Sequence, residues 1–190
     1  MKNTPLFLLV AASLVAAAVF ASVFVYYPVS VAATPTAPPV IFAEGSNAGG
    51  KDLYGTNTIG VTVSQASTSL SITVHPTYQT TYYKNITLIK NLDSNAYYIA
   101  FKVNTAATDT NLQSAKLIIK DSSGNTKATI DLMTTSTSSW IQIPANSQYT
   151  VDLNITYTAG ASSTYSSAPG NGFTASLQLI YSTQNSESAP

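Results

Sequence analysis

From Thr58 onward, hydrophobic and polar residues alternate with a period of two, the pattern typical of strands with one buried face. The clearest alternating runs cover residues 97–104, 149–157 and 173–181. Shorter candidate strands lie at 58–64, 69–74, 82–90, 115–120, 127–133 and 139–143, and residues 121–126 form a predicted hairpin turn. About nine short strands at this spacing predict an all-β fold, a jelly-roll-like antiparallel β-sandwich.

The N-terminal region has a different pattern. A nearly charge-free hydrophobic run covers residues 6–25, after a lone Lys2, and it ends before Pro28. Val31 and Ala33 supply the small residues of a signal-peptidase site, so residues 1–33 are predicted to be a cleaved, Sec-type signal peptide. The mature chain is then expected to begin near Thr34, outside the cell or at its surface. The same run is long enough to span a bilayer of roughly 30 Å, so a retained anchor is the alternative.

Residues 34–57 form a predicted extended segment between the leader and the sandwich. Three prolines occur within 34–39, where the chain must be extended or polyproline-like. A short apolar patch follows, and then the glycine-rich stretch 44–50. An apolar patch between two such tethers is a movable element that docks on its own domain or on a neighbour. Its residues are the candidate donor strand: Val40, Ile41, Phe42 and Ala43. The sandwich domain is predicted at 58–182, and a polar, disordered tail at 183–190.

Charge excludes one class of partner. Charged residues make up 8% of the chain, eight Lys balance eight Asp and Glu, and Arg is absent. Nucleic acid binding requires clustered Lys and Arg, so nucleic acid is not predicted as a partner. Cysteine is also absent, so neither disulfides nor thiol chemistry are predicted.

The sequence offers few residues suited to catalysis or to metal binding. The single histidine, His75, precedes Pro76 and is predicted to lie at a strand end as an ordinary turn residue. A zinc site needs ligands that one His and no Cys cannot supply. The stretch 121–125 lacks the spaced acids of a calcium loop. The sequence therefore predicts no enzyme activity, no cofactor and no metal.

Two glycosylation sequons occur on predicted strands, at Asn85 and Asn154. In each, the Ile that follows falls on the predicted core face, so the Asn is expected to face solvent. Attached glycans would supply the hydration that the missing charges do not. Both asparagines are therefore predicted glycosylation sites.

Assembly is the function that these features favour. The predicted strands carry few of the Lys, Pro or acidic residues that normally prevent edge-to-edge pairing. An apolar N-terminal segment that adds as a strand to the next subunit would use such an edge. This head-to-tail contact generates an open homopolymer unless the rotation closes.

A family resemblance carries the same implication. Residues 81–103, TYYKNITLIKNLDSNAYYIAFKV, form an aromatic-led strand that ends at Asn91, then a short polar turn and a strand that begins near Ala96. This pattern resembles the TasA/camelysin group and the archaeal bundling-pilus and thread subunits similar to it. The resemblance implies a jelly-roll subunit that polymerises by donor-strand complementation into extracellular or biofilm-matrix fibres. The protease activity associated with the camelysin name is not carried over, because no metalloprotease motif is present.

Three other interpretations stay open. A carbohydrate-binding sandwich would stack sugars on exposed aromatic residues, with Trp140, Tyr78, Tyr82 and Tyr98 as the candidates. A type IV-like pilin would keep the apolar run as a filament core, although residues 2–5 lack a good processing site. A surface-layer module attached to the cell surface would share the same composition.

Overall fold

The computed structural model describes residues 8–10, 25–53, 55–77, 79–158 and 172–189. The described residues divide into two units, one up to residue 36 and the other from residue 37 onward. The strands of the second unit are β1 (Val40–Glu44), β2 (Gly60–Val63), β3 (Leu70–Thr73), β4 (Thr80–Asn91), β5 (Tyr97–Thr105), β6 (Leu112–Lys120), β7 (Thr126–Asp131), β8 (Ile141–Ile143), β9 (Gln148–Tyr157) and β10 (Ser176–Ser182).

The strands form two open antiparallel sheets and a separate hairpin. The larger sheet has five strands in the order β1-β4-β9-β6-β7, and the smaller has three in the order β10-β5-β8. The hairpin pairs β2 with β3. The chain crosses between the two sheets at most of its connections, as it does in jelly-roll-like folds. The predicted fold class, an all-β antiparallel sandwich, is confirmed.

Branched aliphatic side chains from both sheets form the core. Ile89, Ile119 and Ile155 of the larger sheet are fully buried, as are Ile99 and Ile143 of the smaller one. Each contributes on the order of 1.5–3 kcal/mol through burial, before the loss of chain entropy is subtracted. Along β9, every second residue from Tyr149 to Tyr157 is buried, so there the period-two pattern of the sequence is the pattern of the core.

The hairpin between β6 and β7 has the predicted turn. The Asp121 carboxylate accepts hydrogen bonds from the amides of Ser123 and Asn125, at 3.0 and 2.9 Å. Gly124 has a φ of 84°, a conformation that favours glycine. Lys127 lies 3.1 Å from Asp121 and closes the turn with an ion pair.

The N-terminal unit is described in two short pieces. Residues 8–10 are helical, and residues 25–36 have no regular secondary structure and are exposed. The rest of the predicted signal segment lies outside the described residues. Within the described ranges, no helix is both long and apolar enough to cross a membrane.

Candidate functional site

The candidate donor segment is an edge strand of its own domain in this structure. β1 pairs antiparallel with β4, from Val40 opposite Asn91 to Glu44 opposite Thr87. The Val40 side chain is 4% exposed and belongs to the core cluster, and Phe42 packs against that cluster. The apolar patch therefore fills a groove at the β4 edge of the larger sheet.

A bulge in β4 lies next to the end of β1. Tyr83 pairs with Leu153 and Thr87 with Val151, so residues 84–86 stand opposite Asp152 alone. Asn85 has a φ of 43° within this bulge, a left-handed conformation that Asn tolerates better than most residues. The extra residues interrupt the ladder and turn three backbone carbonyls away from β9.

The loop that follows β1 caps those carbonyls. The Gly45 amide donates to the Ile86 carbonyl at 3.1 Å, and the Asn47 amide to that of Asn85 at 3.2 Å. The Asn47 side-chain amide donates to the Lys84 carbonyl at 2.7 Å. The bulge is therefore satisfied by residues 45–47, which we call the bulge clamp.

Gly45 is required by this close approach. A Cβ atom at this position would lie 2.1 Å from the Asn85 carbonyl oxygen and 2.6 Å from its carbon. Both are backbone atoms, so neither can move without shifting β4. The clamp thus needs glycine for its lack of a side chain.

A buried carboxylate supports the bulge from the neighbouring strand. Asp152 of β9 is 3% exposed, and it accepts the Asn85 amide at 2.6 Å. The Tyr82 hydroxyl donates to the same carboxylate at 2.8 Å. Lys120 lies 2.8 Å from it as an ion pair. A buried acid normally needs such partners, because an unpaired charge is costly to remove from water.

The electrostatics of this cluster favour the charged forms. Burial works to raise the pKa of Asp152, but the Asn85 amide, Lys120 and Tyr82 outweigh it and hold that pKa below the ordinary range. Hydrogen bonds to Asp152 and to Tyr82 raise the pKa of Lys120. The cluster is thus an ion pair between an ionised carboxylate and an ammonium group.

A second buried acid holds the segment that connects β1 to β2. The Asp52 side chain accepts the His75 backbone amide at 2.7 Å and lies 3.0 Å from the His75 Nδ1 atom. The nearby Tyr83 hydroxyl is buried and has no hydrogen-bond partner among the described residues. Burial, and then the charge of Asp52, raise the pKa of Tyr83. The His75 ring therefore lies at hydrogen-bond distance from the Asp52 carboxylate. Among the contacts of the described residues, none brings a serine hydroxyl next to His75.

The predicted glycosylation sites lie close together on adjacent strands. Ile86 and Ile155 are fully buried, as the alternation predicts. Asn85 and Asn154 are half-buried, and the buried Oδ1 atom of each has no hydrogen-bond partner among the described residues. The Asn85 Nδ2 atom, to which a glycan would attach, donates to the Ser46 hydroxyl at 2.9 Å. The nitrogen that would carry a glycan at Asn85 is therefore in contact with Ser46 of the bulge clamp, and glycosylation of both sites stays a prediction.

Three of the four aromatic candidates for sugar stacking belong to different elements of the described structure. Tyr82 covers the Asp152 cluster, with the Lys120 amine 5.3 Å from its ring centre. The Trp140 indole donates to the Glu187 carbonyl at 2.8 Å, and Tyr98 belongs to β5. Tyr78 lies outside the described residues. The Trp140 contact is with Glu187, which lies in the polar tail 183–190.

No potential metal site is found in the part of the chain that the structure describes, where no three His, Cys, Asp or Glu side chains come together.

Sequence reasoning missed the bulge and its support. In the alternating run 149–157, Asp152 falls on the polar face, where a solvated side chain is expected, but it is 3% exposed. The available signal was the polar pair Lys84-Asn85 within an otherwise alternating run, which is typical of a bulge.

In comparisons with known proteins, no family model matches this chain and no curated protein matches it.

Proposed function

We propose that this protein is the structural subunit of an extracellular filament, a pilus or biofilm-matrix fibre. Subunits would assemble head to tail by donor-strand complementation, each giving its N-terminal strand to the next. The protein would have no catalytic role, and its main partner would be a second copy of itself.

The observation that carries this proposal is that β1 is an edge strand of the larger sheet that completes the core. It is joined to the larger sheet through β4 alone. It also supplies the buried side chain of Val40. When a terminal strand of this kind moves to a neighbouring copy, it makes the same contacts there as in its own chain, so the exchange costs little.

The energetics favour an occupied groove. Without β1, the β4 edge would lose its ladder partner, and without the bulge clamp the Lys84, Asn85 and Ile86 carbonyls would lose their donors. Each polar group left buried and unpaired costs about 1–3 kcal/mol. A subunit with an empty groove is therefore expected to capture a strand from another copy.

The test is deletion of residues 34–50, with deletion of residues 183–189 as the matched control. The first deletion should abolish fibres seen by electron microscopy, whereas the second should leave them. A peptide covering residues 37–50 should bind the truncated protein and raise its melting temperature, and a scrambled peptide should not. Ordinary filaments from the truncated protein would contradict β1 as the donor.

A further inference from the structure

The smaller sheet has an edge of its own that the proposed β1 exchange does not use. β10 pairs with β5, and no strand pairs with its other edge in the ranges that the structure describes. Leu177, Leu179 and Tyr181 stand opposite Val103, Phe101 and Ile99. Because these three β5 residues are buried in the core, the odd-numbered β10 residues share the core face.

That core face is incompletely covered at β10. Leu177 and Leu179 are only partly buried, and Tyr181 is 42% exposed. In contrast, Phe101 on the neighbouring strand is 3% exposed. An additional strand beside β10 would cover this apolar strip and satisfy the free backbone edge at once.

The chain contains a matching, unused strand sequence. Val25, Tyr27, Val29 and Val31 alternate with Tyr26, Pro28, Ser30 and Ala32. The odd-numbered members are 67–87% exposed, an unusual exposure for a run of Val and Tyr. The run is long enough to pair along all seven residues of β10.

Pro28 fits this role. In a strand, residues two apart direct their backbone groups to the same side. If the backbone groups of the odd-numbered residues bond to β10, the backbone nitrogen of Pro28 is on the opposite side of the new strand. Proline has no N–H group, and it is tolerated on that outer side because no hydrogen bond is needed there. Pro28 would also prevent yet another strand from adding.

We propose that residues 25–33 of one copy add as a fourth strand beside β10 of another, with Val25, Tyr27, Val29 and Val31 on its core face. This inference rests on the proposed self-assembly but does not require exchange of β1. Pro35, Pro38 and Pro39 stiffen the connection to β1. A stiff connection favours a neighbouring copy over the chain's own domain.

Cleavage near Thr34, the site predicted above, would remove residues 25–33, so the proposal requires an earlier cleavage site in place of that one. Val19 and Ala21 also satisfy the small-residue rule, and cleavage after Ala21 gives a hydrophobic region, residues 6–20, of ordinary signal-peptide length. Mass spectrometry of protein from native filaments should therefore find an N terminus at Ser22. A start at Thr34 would overturn this inference and leave β1 exchange intact.

The matched variants are Val29→Asp with Val31→Asp, compared with Ser30→Asp. The double substitution places carboxylates on the core face and should reduce pelletable filament at least tenfold. Ser30 faces away from the core in the proposed strand, so Ser30→Asp should assemble as the wild type does. The melting temperature of the monomer should be equal in all variants. The proposal would be overturned if the double substitution and Ser30→Asp reduced the amount of pelletable filament equally, or if neither reduced it.

A cysteine test separates contact between copies from contact within one chain. Because the protein has no Cys, Ser30→Cys in one preparation can be mixed with Gln178→Cys, or with Ile180→Cys, in another. Oxidation should give disulfide-linked dimers in at least one mixture. If oxidation links only the two cysteines of a doubly substituted chain, residues 25–33 dock in cis and the proposal is wrong.

If β1 deletion abolishes fibres while the Val29 and Val31 variants retain them, this inference fails and the proposed function stands.

Discussion

At the scale of single residues, the Asp152 carboxylate has the most demanding surroundings. It accepts the Asn85 amide and the Tyr82 hydroxyl while pairing with Lys120. Asp152→Ala would leave these donors without an acceptor, and removing one partner of a buried pair costs about 3–5 kcal/mol. Urea denaturation should show a loss of this order. Asp131→Ala, on the exposed end of β7, is the control and should change the free energy of unfolding much less.

The same residue makes stability depend on pH. A carboxyl whose pKa is lower in the folded than in the unfolded state stabilises the protein above the unfolded value, and this contribution is lost as pH falls through the folded value. The pKa of Asp152 is lowered. The Asn125 backbone amide, with help from Lys127, lowers the pKa of Asp121 to about 2.

We therefore expect the melting temperature to be constant near neutral pH and to fall between about pH 4 and pH 2, since an unfolded Asp titrates near 3.9. Thermal melts followed by circular dichroism would measure this fall. The fall should be smaller in Asp152→Asn, which has already lost the carboxylate. An identical pH profile in that variant would show that Asp152 does not contribute.

At the scale of secondary-structure elements, the bulge clamp decides how firmly β1 is held. Gly45→Ala would place a methyl group against the β4 backbone, and overpacking of this kind costs about 1–3 kcal/mol or more. Gly60→Ala is the control, because its nearest neighbour is the Thr73 side chain at 3.3 Å. Denaturation midpoints should fall clearly for the first variant and less for the second. Equal denaturation midpoints for the two variants would mean that the bulge clamp accommodates the added methyl group without a loss of stability.

Sequence patterns predicted the elements far better than their pairing. Alternation identified β5, β9 and β10 because each has one buried face, although β10 begins at Ser176, after its predicted start at Phe173. The patch at Val40 was predicted to dock on its own domain or on a neighbour, and in this structure it pairs with β4; the sequence pattern did not indicate which strand it would meet. That pairing depends on the bulge in β4 and on the Asp152 carboxylate, which is distant in sequence. A period-two pattern along one strand predicts neither of them.

At the scale of the whole molecule, low charge should make assembly insensitive to salt. The formal net charge is zero and only 8% of residues are charged. The proposed contacts are backbone hydrogen bonds and apolar side chains, which ionic screening hardly affects. The fraction of protein that sediments as filament should therefore change little between about 50 mM and 500 mM NaCl. Dissolution by salt alone would point to charged contacts between subunits.

The position of β9 also sets an order of events during synthesis. β9 pairs with both β4 and β6 and so joins the two halves of the larger sheet, but among the described strands it is the second-to-last to leave the ribosome. Until then, β4 has no partner on that side, and β1 has no stable surface on which to dock. At about 5–20 residues per second, several seconds pass between the synthesis of β1 and that of β9. During that interval β1 can meet β4 only along an edge that β9 does not yet support from the other side.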